Sequence, residues 1–335
     1  MATIRDVAQI AGVSVGTVSR YLNGYTLKKE NNAKVSKAIK QLNFKQNYIA
    51  KGLKNKKSHT IGVIVNNLTD VFAASVVTPL EYYLEENGYS LILCDYANKM
   101  TNLEKKITFL DSRSVDGIVV FHLDHSIPAL DALKEENIPL VAVDAPISGI
   151  NCDAVLVDNY NASFNVVQKF YQLGHRKIGI IAGTKNRYIS IERLRGYIDA
   201  MRENNIYEES LIEEGNYFKK DGYFCTKKLL KNNPDITALY ITNYYMTIGA
   251  IQAIHEKGLI IPDDISIIGF DDYDLSDVIQ PKLSVVAQPV HEIGKKIGKI
   301  LLEKIKNPKN KKYKKYYLKT KLVWRDSVGK ITYSW

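Results

Sequence analysis

The chain has 335 residues, 45% hydrophobic and 24% charged, the composition of a globular protein of two or three folding units rather than of a disordered or fibrous one. Its net charge of +10 is unevenly placed: residues 1–58 hold 12 Lys+Arg against 2 Asp+Glu, so the other 277 residues carry 34 charges of each sign and sum to zero. A basic head on a neutral body is the charge layout of a protein whose head meets a polyanion, and the absence of a long apolar run excludes a membrane-spanning helix.

The opening MATIRDVAQI has no basic start followed by an apolar stretch, so no secretory signal is expected. Thr3 is placed to cap a first helix, with Asp6 in the first turn, where the helix dipole favours an anion. Ile4, Val7, Ala8 and Ala11 recur at helical spacing, and Gly12 suits the left-handed turn that would end the helix. Ser14 caps a second helix with Val18 and Leu22 inward, stopping at Asn23-Gly24. A third helix fits Lys29 to Leu42, with Val35, Ala38, Ile39 and Leu42 facing the core and Lys34, Lys37 and Lys40 on other faces. Two short helices joined by Ala-Gly-Val-Ser suit a helix-turn-helix whose second helix enters the major groove. A plain three-helix bundle with a solvated lysine face has the same pattern.

From Thr60 onward, short apolar runs alternate with amphipathic helices: IGVIVN (61–66), SLILC (90–94), DGIVVF (116–121) and PLVAVD (139–144) read as buried parallel strands. A second cycle begins near residue 155, where KIGIIAG (177–183) echoes TIGVIVN (60–66), and continues through ITALYIT (236–242) and DISIIGF (264–270). Two doubly wound subdomains with a ligand cleft at their carboxyl strand ends are expected, residues 284–290 crossing back so that the helix from Val290 rejoins the first half. The resulting division is a helix-turn-helix domain (1–45), a hinge (46–58) and a body (59–335). In the body, the first subdomain takes about 60–157 plus 287–315, and the second about 158–286 plus 316–330. Cys94, Cys152 and Cys225 are far apart and form no Cys-x-x-Cys pair, which fits reduced thiols and a cytoplasmic protein. No Gly-x-Gly-x-x-Gly follows a strand, and neither a phosphate loop nor His-Glu-x-x-His occurs, so no catalytic residue and no cofactor are assigned. The run HLDH (122–125) reads as a metal site or, more simply, as surface or pocket polarity, and no metal ligand is assigned. A lysine cluster from Lys295 to Lys321 reads as the solvated face of the last helix and its following loop.

The run TIRDVAQIAGVSVGTVSRYLNG closely resembles the N-terminal domain of the LacI/GalR (lactose-repressor/galactose-repressor) family of bacterial transcription regulators. The resemblance continues through SVDGIVV, VDN (157–159), GHRKIGIIAG (174–183), ERLRGY (192–197), IPDDISIIGFDD (261–272) and PKLSVVAQPV (281–290). It implies an N-terminal all-α helix-turn-helix head plus an α/β periplasmic-binding-protein-like body of two doubly wound subdomains. It further implies a cytoplasmic homodimer that acts on double-stranded operator DNA as a repressor. A small molecule, foremost a sugar, would bind between the subdomains and set operator affinity. A nucleobase or a phosphorylated partner protein is the alternative effector. A soluble sugar-binding receptor would need an export signal.

Carried over by position, Val15, Gly16 and Arg20 fall where the family reads bases, and Arg20 offers a donor pair suited to guanine O6 and N7. Thr3, Ser14, Thr17, Ser19 and Asn23 fall at other DNA-contact positions, where Ser14, Thr17 and Ser19 suit phosphate contacts or helix caps. QNYIAKGLKNKK (46–57) matches the family's hinge, with Leu53 as the minor-groove wedge and Tyr48, Ala50 and Lys54 beside it. Gln46 replaces the usual Pro and Lys51-Gly52 the usual Arg-Ser, so the hinge is expected to order only on DNA; a flexible lysine-rich linker is the simpler reading. The resemblance puts Phe72, Asp144, Arg193, Asn243 and Asp271 at effector contacts, and Asp158 and Asn159 nearer the hinge between subdomains. Taken alone, Asp144 and Asp271 could cap the turns after their strands, and Arg193 could pair with Glu192. Asn243-Tyr244 departs from the family's Asn-Asp, and Asp70-Val71-Phe72-Ala73 from its Asn-Pro-Phe-Phe, while Tyr188, Tyr244 and Tyr245 point to a more aromatic site. The family's dimer contact corresponds to helices near 72–87 and 101–113, and no heptad tail suggests a coiled-coil tetramer.

Arg20→Ala is expected to remove about 1–3 kcal/mol of discrimination between a selected operator and mismatched duplexes while leaving effector binding intact. Competition binding across a duplex library measures this, and unchanged discrimination would take Arg20 out of the groove.

Overall fold

The computed structural model describes residues 2–22, 24–44, 57–124, 128, 130 and 138–331, and the chain divides into two compact units, Met1–Ser58 and His59–Trp335.

The first unit holds α1 (Ile4–Ala11), α2 (Val15–Leu22) and α3 (Lys29–Gln41). Thr3 and Asp6 form a capping box at the start of α1: the Asp6 amide donates to Thr3 Oγ1 at 3.4 Å, and the Thr3 amide donates to Asp6 Oδ2 at 2.7 Å. Gly12 ends α1 at φ +61°, a backbone conformation that a Cβ would strain. Ser14 then opens α2, its Oγ accepting from the Thr17 amide at 3.1 Å. Val7, Ala8, Ala11, Val18, Val35 and Ala38 form the buried centre, with Ile4, Leu22, Ile39 and Leu42 packed around it.

The second unit contains two six-stranded sheets. In the first, β1 (Thr60–Val65), β2 (Ser90–Asp95), β3 (Gly117–Phe121), β4 (Leu140–Val143), β5 (Asp153–Val157) and β11 (Lys315–Leu318) lie in the order β2-β1-β3-β4-β5-β11, all parallel. In the second, β6 (Ile178–Ala182), β7 (Ile212–Glu214), β8 (Ala238–Ile241), β9 (Ser266–Phe270), β10 (Ser284–Ala287) and β12 (Lys321–Val323) lie in the order β7-β6-β8-β9-β10-β12, with β12 antiparallel to β10. Helices whose ends fall among the described residues are α4 (Val71–Glu86), α5 (Met100–Ser112), α6 (Asn159–Gln172), α7 (Tyr188–Glu203), α8 (Lys219–Asn232), α9 (Tyr244–Glu256), the short α10 (Leu275–Val278) and α11 (Val290–Lys306).

Helices cover both faces of the first sheet, which is why its inner strands β1, β3 and β4 are apolar almost throughout rather than at alternate positions. Ile61, Val63 and Val65 of β1 join one core with Leu80 of α4 and Ile297 and Leu301 of α11. Ile64 joins the opposite core with Leu103, Ile107 and Leu110 of α5. Thus α11, reached from the second sheet, completes the first half as the crossover at 284–290 predicted. Two boundaries shift. Ala287 pairs with Lys321 in the second sheet, and residues 316–318 pair with β5 in the first, so the division at 287 and 315 is corrected to 290 and 318. The half-exposed strand Lys-Tyr-Tyr-Leu alternates in a way that suits either sheet edge, so its pattern could not identify its partner.

Close helix packing depends on missing side chains at one crossing in particular. A Cβ on Gly249 of α9 would stand 1.9 Å from the Lys219 carbonyl oxygen, and one on Gly222 of α8 2.0 Å from that of Met246. Gly249→Ala must push these helices apart and is expected to lower the unfolding free energy by about 1–3 kcal/mol. Urea denaturation reads the loss, and wild-type stability would show that the crossing has slack.

Candidate functional site

A cavity of about 720 Å³ opens at the carboxyl ends of both sheets. Its polar wall is built from residues that directly follow strands: Asn66 after β1, His122 after β3, Asp144 after β4, Asp271 after β9 and Gln288 after β10. His122, Asp144 and Asp271 adopt φ of 54°, 72° and 76°. This left-handed region is uncommon for side-chain-bearing residues, although Asp and His enter it more readily than most. Each such turn costs on the order of 1–3 kcal/mol, held in place by the rigid strand behind it.

The charges are tied into pairs. His122 Nδ1 stands 2.8 Å from Asp144 Oδ2, and Nε2 stands 3.0 Å from Asp70 Oδ2. Burial disfavours the imidazolium, but the carboxylates of Asp144 and Asp70 outweigh it and raise the His122 pKa to about 10. Asp70 also caps α4, its Oδ1 accepting from the Phe72 and Ala73 amides at 3.0 and 3.3 Å. Burial pushes the Asp271 pKa up to about 6 against the pull of Arg193 and of Gln288, whose Nε2 donates to Asp271 Oδ1 at 2.7 Å.

Arg193 is buried at 3% exposure. Its Nε donates to Asn159 Oδ1 and its Nη1 to the Thr242 carbonyl, both at 2.7 Å, while the guanidinium lies 3.5 Å from the Phe270 ring centroid. The simpler readings of these residues are therefore corrected. Glu192 pairs with Arg195 at 2.7 Å, not with Arg193, because Arg193 turns inward on α7. Asp144 and Asp271 hold His122 and Gln288 rather than capping turns. Asn243 is both cleft wall and N-cap of α9, its Oδ1 accepting from the Met246 amide at 3.2 Å.

Contacts of Arg187, Tyr188 and Tyr245 join the halves across the cleft. Arg187 Nη1 donates to the His122 carbonyl at 2.6 Å and to Asp124 Oδ2 at 3.3 Å, and the Tyr188 amide donates to Asp124 Oδ1 at 3.1 Å. Tyr245 Oη donates to the Thr69 carbonyl at 2.8 Å. The His122 and Asp124 of HLDH are thus engaged in the cleft, and His125 lies outside the described residues. Among the described residues, no group of three or more His, Cys, Asp or Glu is arranged to hold a metal ion.

Phe72 and Tyr245 line the cavity, as do Tyr217 and Phe218, which nothing in the sequence singled out. Tyr244 packs edge-on against Tyr245 and Tyr273 instead, at centroid distances of 5.3 and 5.0 Å. Asn66 Oδ1 and Gln288 Oε1 are buried with no hydrogen-bond partner, an arrangement that suits a polar ligand. Asn66, His122 and Gln288 were findable as the polar residues ending apolar strand runs; Arg187 and Tyr217 carried no comparable signal.

In the first unit, Ser14, Val15, Gly16 and Arg20 form an exposed face of the turn and of α2. Thr17 and Ser19 are half-buried, and Thr3 is engaged with Asp6. Asn23, Tyr48, Ala50, Leu53 and Lys54 lie outside the described residues.

A basic helix-turn-helix joined to a two-sheet body with a polar cleft at its strand ends defines a ligand-responsive, DNA-binding regulator. Comparisons with known proteins agree. The family model "Bacterial regulatory proteins, lacI family" matches residues 3–47, and "Periplasmic binding protein-like domain" matches residues 167–328. The ribose operon repressor of Haemophilus influenzae is 33% identical over 98% of this chain and 99% of its own length. The HTH-type transcriptional repressor PurR of Haemophilus influenzae strain PittEE is 34% identical over 99% of this chain and 100% of its own. The lac repressor dimer bound to operator and the anti-inducer ONPF superimposes with a TM-score of 0.86 at 25% identity, covering 98% of this chain and 99% of that one. The chain belongs to the lacI family of bacterial regulatory proteins and is a DNA-binding transcription regulator. Among the described residues, no helix is long and apolar enough to cross a membrane.

The His122 pairing sets a pH dependence. A histidine raised from 6.5 to about 10 on folding contributes stability that is fully present below pH 6.5 and lost as pH rises towards 10. Melting curves across that window are expected to decline for the wild type and to flatten for His122→Gln. At neutral pH the variant is less stable by about 3–5 kcal/mol, because the buried Asp144 and the half-buried Asp70 lose their shared cation. Parallel slopes for the two proteins would exclude His122 as the titrating group.

Proposed function

We propose that this regulator is a homodimeric repressor acting in the cytoplasm, whose operator affinity is set by an uncharged sugar bound between the halves of the body. The observation that carries this reading is the strand-end constellation Asp144, Arg193, Asn243 and Asp271 around the cavity of about 720 Å³. Carboxylates and amides bind adjacent hydroxyls in pairs, a guanidinium donates to ring or hydroxyl oxygens, and Phe72 offers an apolar face to C–H groups. The cavity falls in the size range of small-molecule sites.

Charge balance supports a neutral ligand. Four carboxylates, Asp70, Asp124, Asp144 and Asp271, meet four cations, His122, Arg187, Arg193 and Lys219, on the cavity wall. Two of the helix N-termini at the cavity are already capped by side chains, α4 by Asp70 and α9 by Asn243. The cleft groups are fixed as ligand holders, not freed as a base or nucleophile, which supports a binding protein rather than an enzyme. Val15, Gly16 and Arg20 would read bases, Ser14, Thr17 and Ser19 would meet phosphates, and the segment around Leu53 would enter the minor groove. Exposed Tyr82 of α4, Leu93 of β2 and Met100 and Phe109 of α5 supply an apolar surface on the region where a dimer contact is expected.

On this reading, sugar closes the two halves on each other and changes the population able to hold both heads on one operator. Thermal-shift screening of free sugars, sugar phosphates and purine bases tests the effector class. An unphosphorylated sugar is expected to raise the melting temperature, and Asp144→Ala to weaken its binding by about 10- to 100-fold, the loss of a charged hydrogen bond worth about 1.5–3 kcal/mol. A response to purines alone would replace the sugar with a nucleobase.

A further inference from the structure

Residues 304–321 contain nine lysines and no acid, the densest run of one charge in the body. The fold gives this run a definite place. All strands of the first sheet are parallel, so their amino ends share one edge, opposite the cleft. The chain arrives from the first unit at that edge, where β1 begins at Thr60, and the loop 307–314 before β11 lies at the same edge. Four strand spacings separate β1 from β11, about 19 Å, close to the width of a duplex.

The loop is built around one buried lysine. Lys304, 12% exposed at its side chain, reaches Asp153 Oδ2 at 3.2 Å and donates to the carbonyls of Asn310 and Lys312 at 3.1 and 2.5 Å. The Tyr313 ring covers its ammonium at 4.5 Å, and the Lys314 amide donates to Asp153 Oδ1 at 3.0 Å. With its backbone fixed in this way, the loop holds Lys309, Lys312 and Lys314 exposed, with Lys306 and Lys315 at its margins. Among the described residues, none of these five forms an ion pair. Two acids at the same edge are engaged internally, Asp153 with Lys304 and Asp116 with the His59 amide at 3.0 Å.

We infer that this lysine loop is a second, sequence-independent contact for duplex DNA, made by the body to backbone phosphates beyond those met by the head. Fixed, unpaired cations at the edge where the DNA-reading unit is attached match the repeating charge of a duplex backbone. The inference rests on membership of the DNA-binding family and is independent of the sugar reading.

The test uses the full-length protein and a long duplex of random sequence, with affinity measured over a salt series. The variant Lys309→Gln/Lys312→Gln/Lys314→Gln/Lys315→Gln is expected to lower the slope of log affinity against log salt by about 0.9 for each phosphate no longer neutralised, about 2–4 in total. The corresponding arginine variant should keep the wild-type slope. Lys227→Gln/Lys231→Gln, on the second half, should also leave it unchanged. A glutamine variant that melts like the wild type and keeps its slope would overturn the inference. So would a loss shared by the arginine variant, which would assign the lysines to loop structure rather than to phosphate binding.

Discussion

A parallel strand covered by helices on both faces has little but its ends left for chemistry, and the placement of the effector site follows from that constraint. Ile61, Val63 and Val65 are committed to one core and Ile64 to the other, so the first residue of the β1 run free to face a ligand is Asn66. The same reasoning selects His122, Asp144, Asp271 and Gln288. At three of them the backbone turns left-handed at once, so the side chain points into the cavity while the strand behind it stays in register. His122 then links parts of the protein that have different tasks. Its partner Asp70 is also the cap of α4, so a change in charge at the cavity wall is felt at the start of a helix whose far side carries exposed Tyr82.

Periodicity was most legible where one physical demand dominated. Buried strands need apolar side chains at every position, and α1 needs Thr3, Asp6 and Gly12 at its ends, so these elements could be read directly. The strand Lys315–Leu318 could not be assigned to a sheet, because a half-exposed edge strand satisfies the same pattern against either neighbour. The cleft residues named by family resemblance do reach the cavity wall, but their surroundings were invisible in one dimension. Nothing local distinguishes Arg193, locked between Asn159 and the Thr242 carbonyl, from Arg195, which pairs at the surface with Glu192. Arg187 was missed for a related reason: its partners His122 and Asp124 lie more than sixty residues away in the chain.

Electrostatics divides the molecule by distance from solvent as much as by sequence. In the head, the lysines of α3 stay exposed, and Lys34 pairs only with Glu30 one turn away. In the cleft, opposed charges are buried in contact, where screening is weak and each ion depends on its neighbour. The first kind of charge suits a partner whose hold must respond to salt and search along a polymer. The second suits a ligand that must be held in one orientation.

The path of the chain through the two sheets has a consequence for how the protein is made. The chain passes between the halves near residues 158, 288 and 320, so neither half is continuous in sequence. Ile293, Ile297 and Leu301 of α11 close one face of the first sheet, yet they emerge from the ribosome after the whole second sheet except β12. Until then, Val63, Phe121 and Val141 lack the helix that buries them, and the earliest part of the body to be synthesised is among the last to be completed. Such late, long-range closure slows folding and leaves an apolar face open in the nascent chain. A truncation that removes α11 would therefore expose the core of the first half as well as trim the end of the second.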